Sequence, residues 1–315
     1  MKRIFLSLGF TVIALSTAAA GAQTFPNQPV NLVVNFPPGG LTDLMGRSLA
    51  QAMTEFLKQP VIVQNRGGAG GSIGVSHVAT AAKTGYTTGF VAAAALTTLP
   101  QMREVNYRID SLDYVCRTFN EPVYLLVAPE SPFSSVKAVI DYAKANPNKL
   151  NYATVGPGSL PHLTALDFSG KAQIDVVHIP YQGEALAVTA LLGKQVEFLF
   201  GSSVVAANHK LRPLAVTADK RVGSFPDTPT LTELGYPVIR SISGGIVAPG
   251  GTDPAALNTL EAACAQAVKS PRYQATLKTL GVRSSYASGA DFKASMLAES
   301  ARNRLVLQEA KLLLK

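Results

Sequence analysis

A strand that stops at a glycine-rich loop and is followed at once by a helix is the feature that most constrains the fold of this 315-residue chain. It occurs at three loops, Pro37–Thr42, Gly67–Gly74 and Gly156–His162. Elsewhere, apolar runs of strand length alternate with apolar residues at helical spacing. Such alternation is typical of a parallel sheet covered by helices. The sequence therefore predicts an α/β fold.

The same patterns place the individual elements. We expect strands at 30–36, 61–63, 123–128, 150–154, 175–179, 196–200, 214–217 and 241–247. We expect helices that end near 57 and 82, and further helices at 136–146, 161–168, 184–192, 254–269 and 291–315. Thr42 is a candidate N-cap for the first helix, and Ser134 or Ser135 for the helix at 136–146, because a hydroxyl oxygen there can accept a free backbone N–H.

The first 22 residues read as a signal peptide rather than as part of the fold. A basic pair precedes an apolar run over 4–15, and Ala20-Gly21-Ala22 supplies the small residues of a cleavage site. We expect cleavage near Ala22 and a soluble mature chain from about Gln23. A retained N-terminal anchor is the alternative, but the apolar run is shorter than the roughly 20 residues that a membrane span needs.

Length, charge and histidine spacing narrow the function. A mature chain of this size fits two domains better than one. The formal net charge is +8, but the positive residues are scattered with no run of five, which argues against a nucleic-acid groove. The four histidines, His77, His162, His178 and His209, lack the spacing of a metal site, so we expect no metal and no cofactor.

Cys116 and Cys264 are the only two cysteines of the sequence. Cys264 lies in an apolar helical stripe with Leu257, Leu260 and Val268, where a buried free thiol is the ordinary explanation. An oxidising compartment would also permit a disulfide, which requires the two Cα atoms to come within about 7 Å. The sequence favours the free thiol and leaves the pairing open.

Glycine loops that open helices are suited to binding an anion. Glycine has no Cβ, so backbone N–H groups can approach a ligand closely. The free N–H groups at a helix N-terminus and the aligned peptide dipoles attract negative charge. In open α/β sheets such loops lie at the carboxyl ends of strands, where ligands bind. A single Gly-Gly loop is more often a tight turn, but three of them favour a binding function.

Motifs follow one another in a fixed order through these loops and beyond them. They include Phe36-Pro37-Pro38-Gly39-Gly40 with Asp43 and Arg47, Asn65-Arg66 with Gly68-Ala69-Gly70-Gly71, Gly156 with Gly158-Ser159 and His162-Leu163, Val177-His178 with Pro180-Tyr181 and Gly183, and Leu214-Ala215-Val216-Thr217. In this order, and across essentially the whole mature chain, the sequence resembles the solute-binding proteins of tripartite tricarboxylate transporters, the Bug family.

This resemblance implies a type II periplasmic binding protein fold, with two α/β lobes joined by two hinge strands and a ligand cleft between them. Lobe I would combine 23–122 with 241–315, and lobe II would span 123–240. The implied function is capture of a small organic anion in the periplasm by lobe closure. The anion would be a carboxylate, dicarboxylate, amino acid or aromatic acid, and the partner of the monomeric protein would be a membrane permease.

The family's pattern also implies ligand contacts from both lobes. The candidates are Gly39, Gly40, Asp43, Ala69, Gly70 and Gly71 in lobe I, and Thr154, Gly158, Ser159, His162, Tyr181 and Ser202 in lobe II. Four of these have structural alternatives. Asp43 can stabilise the first turn of its helix and pair with Arg47, and Ser159 can be an N-cap. His162 can satisfy a backbone carbonyl of its own loop, and Tyr181 can be a packing residue.

Departures from the family pattern affect the ligand more than the fold. Lys83-Thr84-Gly85 stands where Pro-Asp-Gly is usual, Ser243 stands where an aromatic residue is common, and the chain is shortened near 203–212. Ala92–Ala95 replaces a segment that is usually rich in Ser, Thr and Asn. If these alanines line the cleft, its wall is less polar than usual, and the identity of the carboxylate stays open.

Two other functions are possible for such a sequence. An enzyme is disfavoured because the phosphate-loop and dinucleotide-binding motifs are absent, and Ser159 with His162 lacks an evident orienting acid. We therefore expect no enzymatic activity. A ligand sensor would keep the same fold and present its bound form to a membrane receptor without transport, because a fold does not determine its partner.

Overall fold

The computed structural model describes residues 25–314, so the expected signal peptide at 1–22 lies outside the described residues. Across 25–314, no helix is both long and apolar enough to cross a membrane. The chain forms two separate β-sheets with helices packed against them. The predicted α/β class is confirmed.

The strands alternate with helices along most of the chain. In chain order they are β1 (Val30–Val34), β2 (Val61–Asn65), β3 (Thr87–Ala92), β4 (Leu112–Pro122), β5 (Tyr124–Val127), β6 (Asn151–Thr154), β7 (Val177–Pro180), β8 (Phe198–Gly201), β9 (Arg212–Val216), β10 (Ser241–Pro249) and β11 (Ser284–Ser288). The larger sheet has the strand order β11-β4-β10-β3-β1-β2, and the smaller sheet has the order β7-β6-β8-β5-β9.

The helices follow the same alternation. They are α1 (Leu41–Leu57), α2 (Ser72–Ala79), α3 (Ala94–Thr97), α4 (Leu99–Met102), α5 (Val136–Ala145), α6 (Leu160–Ala172), α7 (Glu184–Leu192), α8 (Ser203–Asn208), α9 (Pro254–Ala267), α10 (Pro271–Leu280) and α11 (Gly289–Glu309). A single 3-10 turn, Ala69–Gly71, precedes α2.

Helix α1 shows how the sequence sets the local structure. Leu41, Met45, Leu49 and Met53 recur every fourth residue and are at most 2% exposed, so one face of the helix is buried in the core beside β1. Lys58 ends the helix in a left-handed conformation. The helix begins at Leu41, and Gly40 occupies the N-cap position. The prediction that Thr42 is the cap is therefore wrong.

Both sheets are mixed rather than parallel throughout. In the larger sheet β1 is parallel to β2 and β3, and in the smaller sheet β6 is parallel to β7 and β8. The chain enters the smaller sheet on β5 and returns to the larger sheet on β10. Both strands run antiparallel to their neighbours. Three of the parallel strands, β1, β2 and β6, end in the three glycine loops, so these loops lie at the carboxyl ends of their strands.

The chain passes between the sheets at two adjacent points. Val123 alone separates β4 of the larger sheet from β5 of the smaller one, and β10 brings the chain back at Ser241. At the crossing, Ser241 pairs with Pro122 in an antiparallel ladder. The lobe boundaries at 122/123 and 240/241 stay a prediction, although both fall at these crossings.

Some elements were not predicted from the sequence. β3 and β4 were missed, because β3 contains a central glycine and β4 interrupts its apolar residues with Arg117 and Asn120. The expected pair of closing helices is three helices, α9, α10 and α11, with β11 between the last two. Short polar helices and edge strands give little periodic signal.

Cys116 on β4 and Cys264 on α9 form a disulfide, with their Cα atoms 6.6 Å apart. The preference for a free thiol was therefore wrong. Both residues are fully buried in the same apolar cluster, because α9 packs directly against β4. Burial explains the apolar stripe around Cys264, but the partner lies 148 residues away in sequence, beyond the reach of a local pattern.

Replacing both cysteines with alanine should lower the free energy of unfolding. A cross-link that spans 148 residues restricts the unfolded chain strongly, which corresponds to at most about 5 kcal/mol in the chain-entropy model. Urea unfolding of the wild type, with and without reductant, measures the loss. The double variant should be insensitive to reductant, and a wild type whose midpoint does not move on reduction would contradict the expectation.

Candidate ligand-binding site

A cavity with an empty volume of about 660 Å³, including its mouth, lies between the two sheets. Its walls come from the ends of β1 and β3, from the loops after β6 and β7, and from the start of β10. It is lined by Phe36, Pro37, Gly40, Leu41, Thr42, Ala92, Ala93, Ala94, Val155, Ser159, Leu160, Pro161, Gly183, Glu184, Ser241, Ile242, Ser243 and Glu299. The cavity is thus mostly apolar, and both sheets contribute to it.

The first glycine loop is held by Asp43, which lies in the first turn of α1. Its carboxylate accepts hydrogen bonds from Gly39 N–H at 3.0 Å, from Asn65 Nδ2 at 2.7 Å and from the Arg47 guanidinium at 3.1 Å. Burial works to raise the pKa of Asp43, but these hydrogen bonds outweigh it and hold the pKa below its ordinary value. The structural alternative for Asp43 therefore accounts for its position.

The second glycine loop touches the third instead of lining the cavity. A Cβ on Gly70 would lie 2.9 Å from the carbonyl oxygen of Pro157, and a Cβ on Gly71 would lie 2.5 Å from Asn35 Nδ2. The backbone carbonyl oxygen of Ala69 accepts a hydrogen bond from Arg103 Nη2 at 2.5 Å. Gly70 and Gly71 both have positive φ, so glycine is needed here for conformation as well as for space. Gly70 therefore brings the second loop, after β2 of the larger sheet, against the third loop, after β6 of the smaller sheet.

The third glycine loop is stabilised by its own polar side chains. Thr154 Oγ1 lies 2.6 Å from His178 Nε2 and accepts the Gly156 N–H at 3.1 Å. His162 Nδ1 accepts the Gly158 N–H at 3.1 Å, so the ring satisfies a backbone donor rather than the expected carbonyl. The network fixes the start of α6.

Ser159 borders the cavity at the N-cap position of α6. Its hydroxyl donates to the Gly156 carbonyl at 2.7 Å and makes no capping hydrogen bond to the helix. Ser159 and His162 are bonded to different backbone groups, so they do not form a nucleophile–base pair.

The rings of His162 and His178 stack with their centroids 4.2 Å apart. Burial lowers the pKa of His162 to about 3, with a further contribution from His178. Burial likewise lowers the pKa of His178 to about 4. Both rings are therefore neutral at physiological pH, where each nitrogen can serve the hydrogen bonds of the third loop.

Glu184 is one of the polar cavity residues that the sequence did not identify as site residues. It is the first residue of α7, and its Oε2 accepts the Leu41 N–H at the start of α1 at 3.4 Å. Its Oε1 accepts the N–H and the hydroxyl of Ser202, each at 3.2 Å. Burial raises its pKa. An acid in a first helical turn is commonplace, and its partner at α1 is 143 residues away, so no local signal identified it.

Two further features follow from the departures noted in the sequence. Ala92, Ala93 and Ala94 do line the cavity, so this wall offers no side-chain hydrogen bonds. Ser243 lines it as well, and its hydroxyl is buried without a hydrogen-bond partner among the described residues. Glu299 of α11 completes the polar set.

Comparison with known proteins identifies the family. The family model described as "Tripartite tricarboxylate transporter family receptor" matches residues 45–312. The chain belongs to this family.

Individual relatives of the receptor agree with this assignment. Protein BugT of Bordetella pertussis is 35% identical over 263 residues, which cover 81% of each chain. A protein of Cupriavidus necator is 34% identical over 301 residues, covering 94% of this chain and 91% of its own.

Solved structures show the same fold. The periplasmic binding protein BugD superposes with a TM-score of 0.86 at 30% identity, covering 92% of this chain and 99% of its own. A protein of R. palustris with adipate has a TM-score of 0.86 at 28% identity, covering 91% and 98%. MatC from Rhodopseudomonas palustris with bound malate has a TM-score of 0.83 at 27% identity, covering 90% and 100%. The receptor therefore has the predicted periplasmic binding protein fold.

The candidate contacts fall into two groups in this receptor. Gly40 and Ser159 line the cavity. The other candidates do not line the cavity. Gly39, Asp43, Ala69, Gly70 and Gly71 shape the first two loops, and Thr154, Gly158 and His162 shape the third. Tyr181 packs against an apolar cluster of the smaller sheet, and Ser202 donates hydrogen bonds to Glu184. Ser202 is also the N-cap of α8.

Because burial keeps His162 neutral in the folded protein, the free energy of unfolding should depend on pH. The variant His162→Asn should reduce that dependence. Because the folded pKa of His162 lies below the unfolded value of 6.5, its contribution to stability is present above pH 6.5 and is lost as pH falls from there towards 3. The loss should reach about 1.4 kcal/mol per pH unit. In urea unfolding, the difference in the free energy of unfolding between wild type and variant should be smaller at pH 5 than at pH 7. A constant difference would contradict this account.

Proposed function

We propose that this receptor captures a small organic carboxylate in the cavity between its two sheets and delivers it to the membrane permease of a tripartite transporter. The observation that carries the proposal is the cavity itself, whose walls come from both sheets while the chain crosses between them at only two adjacent points within residues 25–314. Closure of one lobe on the other would complete the site, and a bound solute would favour the closed form.

The proposed lobes are those expected from the sequence, 23–122 with 241–315 and 123–240. Crossings at Val123 and Ser241 support these boundaries. The protein would work as a monomer in the periplasm, after export by the signal peptide and cleavage near Ala22. It would not act as an enzyme, and the separate hydrogen bonds of Ser159 and His162 agree with that proposal.

Carboxylates are proposed as the ligand class for two reasons. Relatives of the same fold are described with adipate and with malate. In this chain, backbone at the N-terminal end of α6 borders the cavity, and helix N-termini favour negative groups. Gly40 and Ser159 are the proposed direct contacts from the twelve candidates, and the others would act by holding the loops.

A thermal-shift screen of aliphatic, amino and aromatic carboxylates should find at least one that raises the melting temperature. At a concentration of about 100 times the Kd, binding to the folded state alone stabilises it by about 2.7 kcal/mol. Native mass spectrometry of the purified protein would reveal a co-purified solute directly. If neutral sugars or peptides stabilised the receptor while a broad carboxylate panel did not, the proposal would be wrong.

Gly40→Leu should abolish that shift without unfolding the receptor. Gly40 lines the cavity and has a φ of −86°, so the backbone accepts a side chain, but a Cβ would already lie 3.3 Å from Glu184 Oε2. Gly170→Leu on α6 is the matched control, because nothing lies within 4 Å of a Cβ there and Gly170 does not line this cavity. Equal ligand shifts in the two variants would count against the assigned cavity.

A further inference from the structure

The N-terminus of α1, one of the anion sites expected from the sequence, is taken by a carboxylate of the protein itself. α1 is 17 residues long, and its N-cap Gly40 provides no side-chain hydrogen bond. Glu184 from the opposite sheet reaches across the cavity, and its Oε2 accepts the Leu41 N–H at 3.4 Å. The position that would suit a ligand carboxylate therefore already holds a carboxyl group of the protein.

This carboxylate has no ion-pair partner among residues 25–314. His209 acts on it only from beyond ion-pair distance. None of the residues that line the cavity is Lys, Arg or His in that same range. The partners of Glu184 are three hydrogen-bond donors, the Leu41 N–H and the two groups of Ser202. A partly buried carboxylate in a mostly apolar cavity without a cation is unfavourable unless a ligand supplies one.

Two other polar groups border the same cavity. Glu299 accepts a hydrogen bond from Thr97 Oγ1 at 3.0 Å, and burial raises its pKa. Ser243 is 3% exposed, and its hydroxyl has no partner within the described residues. Two residues with carboxyl groups and one with an unpaired hydroxyl therefore border a space whose remaining walls are mostly apolar.

The N-terminus of α6 differs from that of α1. It opens on the cavity at Ser159, Leu160 and Pro161, and Ser159 makes no capping hydrogen bond. No acidic side chain accepts a hydrogen bond from the first backbone N–H groups of α6 in the described chain. One helix N-terminus thus carries an acid of the protein and the other can receive an acid of the ligand.

A second carboxylate on the ligand would be placed badly in this cavity. It would approach Glu184 in a mostly apolar environment, where like charges repel strongly and no basic side chain of the described lining offsets them. A protonated amine would instead gain a charge-assisted hydrogen bond to Glu184. The Ser243 hydroxyl could accept from the same group.

We propose that Glu184 determines the specificity of this receptor, so that it selects a zwitterionic solute with one carboxylate and one protonated amine over a dicarboxylate. The ammonium group lies against Glu184 and Ser243, and the carboxylate lies at the start of α6. This inference rests on the proposed function and narrows its ligand class.

Three skeleton-matched sets of probes, whose members differ in charge, test the proposal by calorimetric titration. Each set holds a dicarboxylate, an amino acid and a monocarboxylate on one skeleton: succinate, 4-aminobutanoate and butanoate; adipate, 6-aminohexanoate and hexanoate; and terephthalate, 4-(aminomethyl)benzoate and 4-methylbenzoate. In the wild type, the amino acid of the best-fitting skeleton should bind about tenfold or more tightly than its dicarboxylate. Tighter binding of the dicarboxylate would overturn the inference, whether or not any variant folds.

Glu184→Gln separates charge from shape, because the amide keeps the size and a hydrogen-bond acceptor. The amino acid should lose about tenfold in affinity, and its advantage over the dicarboxylate should disappear. Glu130→Gln is the control, since it removes the same charge from an exposed position outside the cavity. An unchanged preference in Glu184→Gln would refute the role of Glu184. If no member of any set and no other carboxylate bound to the wild type, the proposed function itself would fail.

Discussion

The antiparallel pairing of β4 with β10 is the constraint on which the rest of the receptor depends. These two strands form the crossing between the sheets, and their ladder runs from Ser241 opposite Pro122 to Pro249 opposite Leu112. Thr217 ties the crossing together on the smaller-sheet side. Its hydroxyl accepts the Val123 N–H at 3.0 Å and donates to the Arg240 carbonyl at 2.6 Å. Ser241, Ile242 and Ser243 of β10 line the cavity directly.

The cavity has few free polar groups, because the polar side chains of the surrounding loops are hydrogen-bonded within the protein. Asp43, Thr154, His162 and Ser202 were expected to face a ligand, yet each is engaged with the backbone or with a neighbouring side chain. Buried polar groups must be paired, so a loop that approaches a ligand with free groups needs a second layer that is fully bonded. Few polar groups are therefore free to contact a ligand, and single residues such as Ser243 supply them.

The sequence predicted those features that depend on local pattern. Alternating strands and helices, the glycine loops at strand ends and the full span of α7 follow from periodicity within short windows. Features that join distant residues were missed. The Cys116–Cys264 bond and the contact of Glu184 with Leu41 link positions 148 and 143 residues apart, and only the fold brings them together. Ser243 was noted as a departure, but its free hydroxyl becomes visible only once its neighbours are known.

If the receptor closes on its ligand as proposed, selectivity and closure depend on the same side chain. Leu41 begins α1, which packs on the larger sheet, and Glu184 begins α7, which packs on the smaller sheet, so the environment of this carboxylate would change as the cleft opens or closes. In an open cleft water solvates the charge, whereas in the closed cleft it is buried without a cation. Closure around an empty cavity is thereby disfavoured, and a ligand that brings a positive group removes the penalty. A ligand of the wrong charge adds to it, so the equilibrium between open and closed forms itself discriminates between solutes.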